Sequence, residues 1–219
     1  MKRAAVEAAI DYVTAGMTIG VGTGSTAAIF IAALAARPGL IAAAVASSVA
    51  SAAALRAAGI RVLDPAAAPY PLLLYVDGAD EVDPELRLIK GGGGAHTREK
   101  VLATAAELFV CIVDETKLAP RLGRFPVPLE VVPWAAPFVA RRLTALGATV
   151  AERPGFVTDN GNAVVDAVGL DLSDPVGLEV ELDAIPGVVE CGIFARRRAD
   201  AVLVGTAAGV RRLSGRRTP

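Results

Sequence analysis

The sequence predicts an α/β fold: a doubly wound, Rossmann-like parallel sheet carrying an inserted small α+β domain of ferredoxin-like type. Three observations carry this. Short apolar runs alternate with helix-period segments to about Arg124, the pattern of a parallel sheet covered on both faces. A turn-rich stretch then breaks the alternation, and a last apolar run, "DAVLVGT", restores it. The expected domains are therefore 1–125 with 199–219 and, inserted between them, 126–198.

The elements follow in order. Val6, Ile10 and Val13 stand at helical spacing in residues 2–13, and "MTIGV" after Gly16 reads as a short buried strand. "STAAIFIAALAAR" is a capped helix that stops at Pro38-Gly39. "IAAAVAS" then reads as a strand, "SAAALRAAG" as a helix and "IRVL" as a strand. "YPLLLYV" is a buried strand ending at Val76, and "LRLIK" is a short one. "AHTREKVLATAAEL" is a helix with Val101, Leu102, Ala105 and Leu108 inward, followed by the strand "LFVCIV". In the second domain "WAAPFVARRLTALG" and "DPVGLEVELDAIPG" are helices. "ATVAER" and the pair around "TDNGN" are antiparallel strands, with Asn160-Gly161 expected in a two-residue hairpin turn.

Composition excludes several function classes. Hydrophobic residues make up 53% and charged residues 21%, and the net charge of -1 leaves no footprint for nucleic acid or an anionic membrane. The uncharged stretches 12–36 and 38–55 are interrupted by glycine, serine and threonine, so neither is a span of about 18 apolar residues. No leader pattern opens the chain, which points to a cytoplasmic protein. The basic end, "RRLSGRRTP", reads as a solvated tail. Cys111 and Cys191 sit in separate apolar runs as small buried hydrophobes, and with a single histidine they leave no metal site.

Three loops at strand ends carry the chemistry. "GVGTGST" (20–26) is a strand-to-helix turn whose N–H groups and hydroxyls suit a phosphate. "GTGSTA" also satisfies G-x-G-x-x-A, yet no Asp or Glu lies between Asp11 and Asp64, so an NAD ribose has no partner. An NADP site remains the competitor, and no P-loop occurs. "DGADE" (77–81) ends the next strand, where open α/β sheets bind ligands. Asp77, Asp80 and Glu99 read either as carboxylates clustered for proton transfer or as an acidic surface turn and a solvated helix face. "KGGGG" (90–94) decides for the first reading. Four glycines cost about 2–4 kcal/mol of backbone entropy relative to alanine, which a cradle for a small polar ligand between Lys90 and Glu99 explains. His96 reads as a base or, more simply, as a packing residue.

"GVGTGSTA", "YVDGADEVDPELRLIKGGGGAHTREK", "VCIVDETKLAPRLGRFPVPLEVVPWA" and "VTDNGNAVVD", taken in order, resemble the A-type ribose-5-phosphate isomerase family over nearly the whole chain. The resemblance implies interconversion of ribose 5-phosphate and ribulose 5-phosphate through an ene-diolate, with no cofactor, no metal and a homodimer or homotetramer. It implies Glu99 as the base, Asp77 moving protons at the sugar oxygens, Asp80 orienting hydroxyls and Lys90 stabilising an oxyanion. It further implies a substrate-binding set of Thr23, Gly24, Ser25 and Thr26; Ser47 and Ser48, with Ser51 in the same stretch; Gly78 and Ala79 within "DGAD"; Gly91, Gly92 and Gly93; and Lys117. Three features depart from the family: Lys2 directly after Met1, His96 in place of a small or aliphatic residue, and "FARRRAD". A related deaminase or coenzyme A transferase and a catalytically silent sugar-phosphate sensor are the alternatives.

Overall fold

The computed structural model describes residues 1–214. In chain order it holds α1 (Lys2–Ile10), β1 (Met17–Val21), α2 (Ser25–Ala35), β2 (Ile41–Ala46), α3 (Val49–Ala57), β3 (Leu72–Asp77), β4 (Glu81–Val82) and β5 (Leu88–Ile89). There follow α4 (His96–Ala105), β6 (Ala106–Asp114), β7 (Val127–Val131), α5 (Ala136–Ala145), β8 (Thr149–Glu152) and β9 (Ala163–Val168). The last elements are α6 (Pro175–Asp183), β10 (Val188–Cys191), β11 (Ile193–Phe194), β12 (Ala201–Thr206) and β13 (Gly209–Ser214).

The chain divides into two compact units, 1–79 with 98–118 and the segment from Ala199 onward, and 80–97 with 119–198. The limits differ from the expected ones in that 80–97 and 119–125 group with the second unit. The cause is hydrogen bonding: β5 pairs with β4 and β11, and the Ala119 N–H donates to the Val82 carbonyl.

The first unit is a six-stranded sheet in the order β13-β12-β6-β3-β1-β2, parallel except for the edge strand β13. From β1 the chain steps outward to β2 and then back across β1 to β3, so the winding reverses between β1 and β3. Right-handed crossovers then place helices on opposite faces and leave a crevice at the carboxyl ends of those two strands. Ile19, Val21, Leu74, Val76, Val110, Ile112 and Leu203 form the sheet's share of the core. The apolar stripe of α2, Phe30, Ile31 and Leu34, packs on it with Val6 of α1. Each such side chain stabilises the fold by about 1.5–3 kcal/mol on burial.

The second unit holds a four-stranded antiparallel sheet, β10-β7-β9-β8, and the small sheet β11-β5-β4. Leu129, Val131, Val139, Leu143, Val165, Leu182 and Ile193 fill its core.

Several expectations need correction. α1 stops at Ile10, where the Tyr12 and Val13 N–H groups close tighter turns. "IRVL" makes only a single bridge, Ala44 to Val62. Val101 is 58% exposed, because β6 starts directly at Ala106 and α4 turns that position outward; Leu102 is buried. The Asn160-Gly161 pair is not a two-residue hairpin. Ten residues join β8 to β9, and the Gly161 N–H closes a turn on the Thr158 carbonyl. "RRLS" of the basic end is strand β13, paired along its whole length with β12, and 215–219 lie outside the described residues.

Candidate active site

In the first unit the turn after β1 is built around Asp77. Its Oδ1 accepts the N–H groups of Thr23 (3.1 Å) and Gly78 (2.7 Å), and its Oδ2 accepts the Tyr75 hydroxyl. Gly22 has no choice of side chain, since a Cβ there would lie 1.9 Å from Asp77 Cγ. Gly24 has φ +97°, a conformation open to glycine, and stands as the N-cap of α2. The exposed N-terminus of that helix presents Ser25 and Thr26 beside it. Thr23 Oγ1 and Ser47 Oγ lie 2.8 Å apart, and Ser51 Oγ donates to the Gly22 carbonyl at 2.7 Å. Ser48 Oγ caps α3 by accepting the Ser51 N–H at 3.0 Å.

Cations flank this loop. Lys2 Nζ donates to Ser25 Oγ at 2.9 Å and lies 4.0 Å from Asp114 Oδ2. Lys117 stands in the turn after β6. The Asp114 carboxyl is held below its ordinary range chiefly by the Thr116 hydroxyl, against a partial burial, with Lys2 and Lys117 contributing. The early position of Lys2 thus still brings its ammonium to the first turn of α2.

Glu99 lies in the first turn of α4 and is 5% exposed. Burial pushes the Tyr75 hydroxyl well above its ordinary pKa, and the carboxylates of Asp77 and Glu99 push it further. Asp77, Glu99 and a neutral Tyr75 therefore form one electrostatic group. Tyr75 escaped the sequence reading, although its place two residues before Asp77 in β3 puts both on the same face of the strand.

In the second unit the glycines are used for close approach. A Cβ on Gly91 (φ +107°) would meet His96 Nδ1 at 2.6 Å, and one on Gly94 (φ +70°) would meet Phe156 Cζ at 2.4 Å. Asp80 Oδ2 accepts the Gly92 N–H at 2.8 Å. Lys90 is buried, its N–H bound to the Gly192 carbonyl and its Nζ 5.6 Å from the centre of the Phe194 ring.

His96 is a packing residue. It is fully buried, and its Nε2 lies 3.1 Å from both the Glu130 N–H and the Glu190 carbonyl, at the irregular register of β7 and β10. The Glu130 carboxylate is also buried and accepts from the hydroxyls of Thr97 and Thr158 and the amides of Asn160 and Asn162. Burial pushes this carboxyl up, but the four side chains outweigh it and hold the group below its ordinary 4.5. A lowered folded pKa stabilises the fold fully above about 4.5 and loses that contribution as pH falls through the folded value. Glu130→Gln should accordingly lower the melting temperature at pH 7, and the gap to the parent should close as the pH falls below 4.5 and through the folded value. A gap independent of pH would exclude an ionised Glu130.

One further cluster of ligand-type atoms occurs among the described residues, Asp183, Glu190 and Cys191. Both carboxylates accept the Cys191 N–H, which gives them a main-chain role. Cys111 and Cys191 are buried and not disulfide-bonded.

Comparison with known proteins identifies the family. The profile of the family Ribose 5-phosphate isomerase A (phosphoriboisomerase A) matches residues 43–209. The ribose-5-phosphate isomerase A of Acidithiobacillus ferrooxidans is 53% identical over 210 residues, 96% of this chain and 95% of that protein. The chain belongs to the ribose 5-phosphate isomerase A family.

Solved structures of the isomerase family agree. That of ribose 5 phosphate isomerase A from Neisseria gonorrhoeae superposes with a TM-score of 0.95 at 44% identity, covering 97% of this chain and 95% of the other. A D-ribose-5-phosphate isomerase in complex with phospho-erythronic acid gives a TM-score of 0.93 at 39% identity, covering 97% of each chain. Against this family background the unpredicted residues are Tyr75 and Glu130. Neither stands in a glycine loop, and Glu130 becomes visible only through partners distant in sequence.

Proposed function

We propose that this chain interconverts D-ribose 5-phosphate and D-ribulose 5-phosphate through an ene-diolate. The observation that carries the reading is its likeness to ribose-5-phosphate isomerase A over 96% of the chain. Glu99 takes the proton from C2 of the open-chain aldehyde. The freed electron pair forms the C1–C2 double bond and pushes the carbonyl pair onto O1, where Lys90 meets the charge. Loss of the O2 proton restores a carbonyl at C2, and Glu99 returns its proton to C1. Asp77 moves protons at the sugar oxygens, including those of ring opening, and Asp80 orients the hydroxyls.

Thr23, Gly24, Ser25 and Thr26 bind the phosphate end together with Lys2 and Lys117. The anion is favoured there by the start of α2 and by the two ammonium groups. Ser47, Ser48, Gly78, Ala79 and the backbone of Gly91, Gly92 and Gly93 complete the binding set. Phospho-erythronic acid, the ligand of the related structure, is proposed to bind here as well. The reaction uses no metal or organic cofactor. The same reading makes residues 1–125 with 199–219 the catalytic domain and 126–198 an insertion.

The proposal includes a cytoplasmic homodimer or homotetramer. No helix among the described residues is long and apolar enough to cross a membrane, and Trp134 is 92% exposed. Ketopentose phosphate formation from ribose 5-phosphate in the presence of EDTA tests the reading, with light scattering on the same preparation for the assembly and cell fractionation for the location. Turnover is expected. A folded protein that leaves ribose 5-phosphate unchanged would overturn the isomerase assignment.

A further inference from the structure

The glycine cradle is held from outside by a residue that none of its motifs contains. Arg153, just after β8, places Nη1 3.0 Å from the Gly92 carbonyl oxygen. Its Nε and Nη2 each lie 2.7 Å from one oxygen of Asp166 in β9, a two-pronged pair that fixes the plane of the guanidinium. Its Cζ stacks 5.7 Å from the centre of the Phe156 ring, and that ring occupies the space which a Cβ on Gly94 would need. Arg153 and Asp166 are only about one-fifth exposed, at 19% and 21%.

Gly92 is therefore gripped at both of its peptide groups. Its N–H is taken by Asp80 Oδ2 at 2.8 Å, and its carbonyl by Arg153. A trans peptide is planar, with C=O and the following N–H pointing in opposite directions. Fixing the Gly92 carbonyl on Arg153 thus fixes the Gly93 N–H to point away from Arg153. On Gly93 even an added Cβ would meet nothing within 4 Å, and its N–H meets no protein acceptor among the described residues. The loop presents a donor whose direction is set before a ligand arrives.

We infer that Arg153 is a positioning residue: anchored by Asp166, it orients the Gly92–Gly93 peptide so that the Gly93 N–H is a pre-aligned donor to an oxygen of the substrate. The inference rests on the isomerase reading for its substrate but not for its geometry. A donor aligned in advance contributes most where charge develops, so its loss appears in kcat more than in KM. Lysine cannot replace this arginine, because an ammonium cannot hold both Asp166 oxygens and the Gly92 carbonyl in one plane.

The test compares the parent, Arg153→Lys, Asp166→Asn and the double variant. Turnover of ribose 5-phosphate and amide hydrogen exchange at Gly92 and Gly94 are both measured, with the melting temperature as a check on folding. The expected result is a fall in kcat of about tenfold or more for Arg153→Lys with KM changed less than about threefold. Asp166→Asn should fall in the same direction, and the double variant little further than Arg153→Lys alone. Raised KM with kcat unchanged would make Arg153 a direct ligand contact and overturn the inference. A lower melting temperature with unchanged kinetics would overturn it too, in favour of a merely structural pair. Should the parent not turn over ribose 5-phosphate, the isomerase reading fails by itself. Exchange then decides the loop's anchoring: faster at Gly92 and Gly94 in Arg153→Lys supports it, and unchanged exchange overturns it.

Discussion

Replacing Glu99 by Gln is expected to lower turnover of ribose 5-phosphate by about two orders of magnitude or more while leaving binding largely intact. The side chain keeps its size and its place in the first turn of α4, so the nearly buried site is not opened. What is lost is the oxygen proposed to accept the C2 proton. Binding of phospho-erythronic acid, followed by titration calorimetry, separates the two effects: kcat should collapse while the affinity moves only a few fold. Normal turnover in this variant would remove Glu99 from the chemistry. A second readout comes from Tyr75, whose hydroxyl is pushed up by burial and by both neighbouring carboxylates. Neutralising position 99 should bring the Tyr75 hydroxyl part of the way back, a change readable by ultraviolet titration.

The second large effect is expected from Gly22→Ala. The added methyl would sit 1.9 Å from both Cγ and Oδ1 of Asp77, and 2.5 Å from its Cβ. Asp77 cannot step aside cheaply, because it is fully buried and its oxygens accept from Thr23, Gly78 and Tyr75. Either the loop or the carboxylate must move. Overpacking of this kind costs about 1–3 kcal/mol, occasionally more. Activity should fall further than stability, since the displaced groups are those assigned to the substrate. Denaturant unfolding and kcat/KM measured on the same variant check this. A parent-like kcat/KM would show that the Asp77 turn is not part of the machinery.

The sheet of the first unit was legible because its strands are nearly continuous apolar runs separated by glycine and helix caps. Buried parallel strands carry that signal, and β1, β2, β3, β6 and β12 all show it. What failed was governed by long-range pairing. β7 contains Pro128, which in isolation argues against an interior strand, yet its carbonyl accepts the Gly192 N–H at 2.7 Å and the strand lies between β10 and β9. β13 reads as a basic tail because its arginines face outward from an edge, and only the hairpin with β12 orders it. The "TDNGN" segment carries a hairpin signature, but Asn160 and Asn162 turn their amides to Glu130, thirty or so residues earlier in the chain.

The candidate site divides along the same line. Glycines, acidic turns and the lysines announce themselves by type and spacing. Tyr75, Glu130 and Arg153 do not, because each acts by fixing a neighbour: Tyr75 fixes Asp77, Glu130 fixes Thr97 at the start of α4, and Arg153 fixes Gly92. Residue type alone cannot reveal a partner supplied by another element.

The most direct measurement of the central claim is isomerisation of ribose 5-phosphate in deuterium oxide, with the product read by proton NMR, for the parent and Glu99→Gln. An ene-diolate formed by Glu99 predicts deuterium at C1 of the ribulose 5-phosphate made by the parent, and product and exchange both slowed by about two orders of magnitude or more with the variant. Ribulose 5-phosphate formed at equal rates by both, with protium fully retained at C1, would contradict it.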